Sequence, residues 1–380
     1  MLKYNLSYWE RETFFKDFDV AIIGSGIVGL TAALHLKRLQ PRLNVVVLER
    51  GALPAGASTR NAGFACYGSM TELLDDMTRM SEDDVFAVVE KRWRGLQRLR
   101  QLVGDEPMDF EQNGGFEVFT EEEEEVFEEC RDRMAHFNRI VGAITGHPQP
   151  YVVADERLAD FGFRGAAHLI LNQPEGQVHT GKMMARLLQL AAEAGVRIFN
   201  GIHIEQIEDS AEGVELQTAA GWTLRVPRVL VAVNGFARQL MPGIEVTPAR
   251  NQVLITQPIP GLKVRGCFHY DRGYYYFRDV DGRILLGGGR HLDNSTETTS
   301  EFGPNELIRS ALVQLLKTII CPGQPIEVDA WWTGILGLGP VKKPVVEQYS
   351  KNVVVAVRLS GMGVAIGTLV GEEGAERLLA

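Results

Sequence analysis

Cysteine is scarce: there are four in 380 residues, Cys66, Cys130, Cys267 and Cys321, with no C-x-x-C pair and no metal-ligand spacing. Thiols so far apart build no disulfide framework, so reduced and mostly buried side chains are expected. The eight histidines form no H-E-x-x-H or H-x-x-x-H cluster. His269 and His291 fall near strand patterns, where a single histidine more often serves structure than catalysis, and no metal site is expected. Basic residues are outnumbered, 39 against 49 acidic, for a net charge of −10. That leaves no broad positive field to draw nucleic acid or an anionic membrane. No apolar run is long enough to span a bilayer, and the charged opening MLKYNLSYWERETFFKDF has no signal-peptide core. A cytoplasmic chain is the expectation, and its length argues for two domains.

What is present is organised around residues 19–49, DVAIIGSGIVGLTAALHLKRLQPRLNVVVLE. Val20 to Ile23 is an unbroken apolar run suited to a strand buried on both faces. It enters Gly24-Ser25-Gly26-Ile27-Val28-Gly29, a G-x-G-x-x-G turn, and Ile27, Leu30 and Leu34 then recur at helical spacing. A second run, Val45 to Leu48, ends at Glu49. Gly24 allows the turn, Gly26 lets the backbone approach a pyrophosphate, and Gly29 lets helix and strand pack closely. The helix start aims free amides and a positive dipole end at phosphates, and Glu49 can accept from a ribose diol. Glu49 would repel a 2′-phosphate despite its neighbour Arg50, so NAD or FAD is indicated over NADP. The next loop, Gly56-Ala57-Ser58-Thr59-Arg60-Asn61-Ala62-Gly63-Phe64, combines small residues with hydroxyl donors and a cation, a composition suited to cradling phosphate or a ring.

The remaining pattern alternates between two textures. Residues 1–18 read as an amphipathic lead-in anchored by Tyr8, Trp9, Phe14 and Phe15. Ser81 caps a helix over 81–103. Thr120 and Glu123 form a capping box, so the acidic run from Glu121 to Glu125 reads as a solvated helix start rather than a metal site. From Tyr151 a helix–strand–meander–strand order returns to the nucleotide-binding theme, with strands expected near Ile204 and from Val229 to Val233. Residues 241–326 alternate as an antiparallel sheet, with a hairpin at Asp281-Gly282 and a helix starting at Pro304. Tyr274 and Tyr276 should share one strand face. The fold class expected is α/β, a Rossmann-like domain (1–78, 151–240 and 327–380) interleaved with an antiparallel-sheet substrate domain (79–150 and 241–326).

The glycine turn ending in Glu49, the loop GASTRNAGF, the 151–240 order and the tail Ser360-Gly361-Met362-Gly363-Val364-Ala365-Ile366-Gly367 together resemble the D-amino-acid oxidase, glycine oxidase and sarcosine oxidase (DAO) superfamily of FAD-dependent oxidoreductases. Ser7-Tyr8-Trp9 resembles its γ-glutamylputrescine oxidoreductase-like branch. The resemblance implies FAD as cofactor, with loop residues 57–63 on its flavin side and Ile204 against adenine. Ala232 to Gly235 replaces the A-T-G run usual in such folds, with Ala232 as the cofactor contact, and Gly361 to Val364 face the flavin pyrimidine. Gly334 belongs to the active-site loop Trp332–Gly337, which has no cysteine, so the FAD should be non-covalent. Arg358-Leu359 departs from the Gly-His frequent at that point.

The resemblance further implies oxidation of a carbon–nitrogen bond in an amino acid or amine, by hydride transfer to flavin N5 and hydrolysis of the imine. Arg278 would pair a substrate carboxylate through its planar fork, Tyr276 would shape the pocket, and Arg250 is a second anion contact. Sarcosine oxidases place a lysine where Leu285 falls, so the acceptor is left open between O2 and a quinone or protein. An NAD-linked dehydrogenase and a non-catalytic flavin-binding partner are the alternatives.

Overall fold

The computed structural model describes residues 4–380; residues 1–3 of the expected lead-in lie outside the described residues. Val20–Ile23 carries no polar side chain and is buried along its length. It lies inside a six-stranded sheet ordered Val345–Ser350, Val353–Val357, Arg228–Val231, Val20–Ile23, Val45–Glu49, Arg197–Asn200. Every pairing there is parallel except that of the edge strand Val345–Ser350. Helices Ile27–Leu39, Thr180–Glu193 and Gly363–Leu379 cover one face. A meander of Ile204–Ser210, Gly213–Thr218 and Thr223–Val226 covers the other, burying Val214 and Leu216 in a core with Ala21, Val46 and Val229. Apolar strands with both faces covered are the stable arrangement for a parallel sheet.

The second sheet has eight strands, in the order Val328–Leu338, Thr247–Thr256, Arg283–Gly288, Tyr275–Val280, Cys267–Tyr270, Gly115–Thr120, Ala166–Asn172, Tyr151–Val153. Its neighbours are antiparallel except Cys267–Tyr270 with Gly115–Thr120. Asp281 and Gly282 turn with φ of 49° and 68° while Val280 pairs with Arg283, the hairpin expected there. Phe268, Phe277 and Leu286 pack with Ile308 and Leu312 of the helix Glu306–Leu315. On the opposite face Val253 and Leu285 meet Ala62, so the loop 56–64 is layered directly on this sheet. All four cysteines are free and buried, and no described helix is long and apolar enough to cross a membrane.

Several expectations are corrected. Strands Tyr151–Val153, Ala166–Asn172 and Val328–Leu338 join the eight-stranded sheet rather than the nucleotide-binding half. Residues Trp332–Gly337 therefore form strand, not loop. Conversely, Leu96, Leu99 and Val103 of the helix Glu82–Val103 pack into the core of the parallel sheet. Apolar periodicity states that a segment is buried but not against which sheet, so a domain border drawn from pattern alone shifts. Tyr8, Trp9 and Phe14 are exposed, and Phe15 alone of the four aromatics packs inward, on Phe199 and Trp222 at 4.9 and 4.7 Å. Pro304 falls before its helix because Asn305 caps it, accepting from the Ile308 amide. Tyr274 precedes its strand and lies against His291, exposed, so it does not share a face with Tyr276.

Candidate functional site

Three glycines set the close approaches at the first turn. Gly24 has φ of 102°, and a Cβ on it would lie 2.8 Å from the Ala232 carbonyl oxygen; one on Gly29 would lie 1.9 Å from the Gly24 oxygen. Gly26 faces Ser58, whose Oγ would be 2.9 Å from a Cβ there. Leu30 donates the first helical hydrogen bond, to Gly26 O at 3.0 Å, so the amides before it point out of the helix end. One of these, from Ile27, is taken by Ser58 Oγ at 3.0 Å. Glu49 stands at the end of the neighbouring strand. Its Oε2 accepts from the Ser25 amide (3.1 Å) and hydroxyl (2.8 Å), and its Oε1 from the Gly51 amide (2.9 Å). The carboxylate is thereby fixed with its edge toward the turn.

These groups open onto a cleft of about 450 Å³. Of the residues anticipated from sequence, Gly24, Gly26, Ile27, Val28, Glu49, Arg50, Ala57, Ser58, Asn61, Ile204, Ala232, Gly361, Gly363 and Val364 line it. The second helix start lies alongside the first, so close that a Cβ on Gly367 would come 2.9 Å from Ile27 Cγ2. Gly361 turns with φ of 87°, Met362 precedes the first residue of Gly363–Leu379, and Ile366 donates to Met362 O at 3.0 Å. Two positive dipole ends thus flank one cleft, an arrangement suited to a long anionic or electron-rich ligand such as an extended dinucleotide.

Other anticipated residues support the cleft without lining it. Gly29 packs helix on strand. Thr59 gives its hydroxyl to Pro54 O. Arg60 donates to Thr333 O at 3.2 Å and lies over the Phe302 ring. Ala62 is buried against the eight-stranded sheet. A Cβ on Gly63 would lie 2.3 Å from Val178 O, and one on Gly334 would lie 3.1 Å from Arg60 O. Met362 caps the closing helix.

Lining residues not assigned to the cofactor from sequence include Phe236, Leu336 and Leu359, and above all Asn234. Asn234 has φ of 44°, and its Oδ1 accepts from the Arg358 and Leu359 amides at 3.1 and 3.2 Å. It ties the end of Arg228–Val231 to the turn that launches the closing helix. The Asn-Gly pair at 234–235 was the available signal, since asparagine tolerates positive φ and makes local backbone bonds. Arg50 lays its guanidinium over Phe236, 3.8 Å from the ring centroid.

The three substrate candidates lie off this lining. Arg250 pairs with buried Glu297, Nη2 to Oε1 at 2.7 Å, and is neutralised there. Its expected role as a second anion contact therefore gives way to a structural one. Arg278 Nη1 donates to Gly63 O (3.2 Å) and Val178 O (3.0 Å), riveting the loop to the sheet, while its Nε is sealed without a partner. Tyr276 sits among Phe64, Leu285 and Trp332, and burial pushes its phenol up to about 12. Nearby, Glu72 takes a salt bridge from Arg92 (3.2 Å) and one from Lys342 (2.9 Å). Burial, the largest influence on that carboxyl, acts to raise it, but Lys342 and Arg92 outweigh it and hold it at about 2. Asp76, sharing Lys342 at 3.1 Å, is raised because burial dominates there.

Comparison with known proteins agrees with this geometry. Residues 19–377 match the family model described as FAD dependent oxidoreductase (DAO). The chain is 24% identical over 377 residues to the γ-glutamylputrescine oxidoreductase of Escherichia coli, covering 95% of this chain and 83% of that one. It is 25% identical over 334 residues to the glycine oxidase of Geobacillus kaustophilus, covering 84% and 81%. The crystal structure of L-proline dehydrogenase from P. horikoshii superposes with a TM-score of 0.73 at 19% identity, over 95% of this chain and 93% of that one. The chain belongs to the DAO family of FAD-dependent oxidoreductases, with FAD as its cofactor.

Proposed function

We propose that this protein, acting in the cytoplasm, oxidises the carbon–nitrogen bond of an amino acid or of a primary or secondary amine, with FAD held non-covalently in the cleft. The observation that carries this reading is the convergence of two helix N-termini, Ile27–Leu39 and Gly363–Leu379, on one cleft walled by Glu49. Glu49 would accept from the ribose hydroxyls, and the Val28 amide with the Ser58 hydroxyl, itself held by the Ile27 amide, would meet the pyrophosphate. The dipole of the closing helix would support negative charge at the pyrimidine end of the ring. Bound FAD supplies the acceptor for the hydride that leaves the carbon next to nitrogen, after which water hydrolyses the imine. Among the described residues no cysteine lines the cleft, which supports retention without a thioether.

The protein's own contribution is to bind, orient and exclude water. Tyr276 stays protonated at working pH and is available as a donor on the sheet face behind the loop. Arg278 spends only Nη1 on backbone carbonyls, which leaves other donors of its guanidinium fork for a carboxylate. The relatives named above as glycine oxidase, γ-glutamylputrescine oxidoreductase and L-proline dehydrogenase all take nitrogen-bearing donors by name, which supports the class. Leu285 is buried beside Ala62 and Val253 and offers no charge to assist oxygen, which favours a quinone or protein acceptor. The test is anaerobic addition of a panel of amines and amino acids to the yellow protein. One class should bleach the flavin band, with slow recovery on admission of air. Bleaching by hydroxy acids alone, or by nothing, would overturn this reading.

A further inference from the structure

Away from the cleft, three metal-ligating side chains from distant parts of the chain converge. Cys66 Sγ, a Glu175 carboxylate oxygen and a His269 ring nitrogen all lie within 4.8 Å of one another. Cys66 follows the short strand Phe64–Ala65, Glu175 precedes its partner strand Gly176–Gln177, and His269 faces them from Cys267–Tyr270. Alternation along that strand puts Cys267 on the same side as His269. Both thiols approach a single carbonyl, Gly176 O, Cys267 at 3.3 Å and Cys66 at 4.0 Å. A second sulfur therefore borders the cluster.

A separate observation is that one ring nitrogen of the cluster's histidine is orphaned. His269 Nε2 is sealed from solvent and has no hydrogen-bond partner. Glu175 is buried, and its Oε1 is committed to the Tyr67 and Gly68 amides at 2.7 and 3.1 Å. Its Oε2 lies over the bare Cα of Gly115, where a Cβ would come within 2.0 Å. The imidazole nitrogen is the group left costly without a partner, and a bound ion would satisfy it while also engaging the carboxylate and the thiol. Left alone, burial keeps the carboxyl protonated up to about 7 and pushes the Cys66 thiol well up, so a bare neutral cluster is the competing state. The donor set of sulfur, nitrogen and oxygen is foreign to Mg²⁺ or Ca²⁺ and suits a borderline-soft ion.

We propose that Cys66, Glu175 and His269 bind one divalent transition-metal ion of the Zn²⁺ type, with Cys267 or a water as fourth donor. The ion would clip the end of the cofactor loop, two residues past Phe64, to the eight-stranded sheet. That is a structural role distinct from the redox chemistry of the cleft, and it does not depend on which substrate the enzyme takes. The ligands come from three separate stretches of chain, so no local spacing announces them.

Metal-stripped holoprotein titrated with Co²⁺ should take up one ion per chain, give the intense visible bands of tetrahedral thiolate coordination, and release the ion to stoichiometric Zn²⁺. Cys66→Ser and His269→Ala should each weaken Co²⁺ binding at least tenfold while FAD content per chain stays unchanged. Glu175→Gln retains an acceptor for the Tyr67 and Gly68 amides and provides a third variant should His269→Ala fail to fold; it too should bind more weakly. Sub-stoichiometric uptake, a weak octahedral spectrum, or unaltered affinity in the folded variants would each refute the site.

Discussion

A single methyl group at position 29 would sit 1.9 Å from the Gly24 carbonyl oxygen. No rotamer relieves that contact, because both partners are backbone. Gly29→Ala should therefore separate helix from strand, costing about 1–3 kcal/mol of stability and most of the bound FAD. Thermal melting and the flavin-to-protein absorbance ratio measure both. Glu49 is the complementary case, a side chain whose loss removes contacts. Glu49→Ala strips acceptors from the Ser25 and Gly51 amides as well as from the ribose. Hydrogen bonds to a charged group contribute roughly 1.5–3 kcal/mol each, so FAD should bind apoprotein about 10–100-fold more weakly. Flavin fluorescence quenching measures the affinity directly. Both residues were legible in the sequence because their reasons are local, a turn and a strand end within 26 positions of one another. Arg278 was not legible in the same way. The carbonyls that hold it belong to Gly63 and Val178, and nothing near position 278 reveals them.

Between elements, the connection that matters most is Asn234. Its one oxygen holds two amides of the turn before the closing helix, where Arg358 and Ser360 both have positive φ. Asn234→Ala should let that turn relax and lower FAD affinity, whereas Asn234→Asp, which keeps the acceptor, should restore most of it. Comparing the two Kd values separates positioning from bulk. A second inter-element link is Glu72, which joins the helix Met70–Met77 to Arg92 and to Lys342 on the chain between the two sheets. Its folded pKa of about 2 lies below the ordinary 4.5, so its ionised form contributes stability above pH 4.5 that is lost as pH falls toward 2. The contribution is about 3 kcal/mol at most, partly offset by Asp76, whose raised pKa acts in the opposite sense. Urea midpoints between pH 2 and pH 5 should fall steeply for the native chain and more gently for Glu72→Gln. Strands and caps were readable as elements from their period and end residues. Their partners were not, because Tyr151–Val153 and Val328–Leu338 look alike whichever sheet receives them.

For the whole molecule, the parallel sheet builds a cleft at the ends of its strands, and the eight-stranded sheet backs the loop that closes it. The fold class was visible in the sequence since the βαβ turn and the antiparallel hairpins carry different periodicities. The interleaving was only half visible, because the chain crosses between sheets within stretches of uniform composition. This cleft should retain FAD without a covalent bond. Acid precipitation of the purified protein followed by quantitation of flavin in the supernatant tests it most directly. One FAD per chain released into the supernatant is the predicted result; a yellow pellet with a colourless supernatant, or a protein that takes up no FAD, would contradict it.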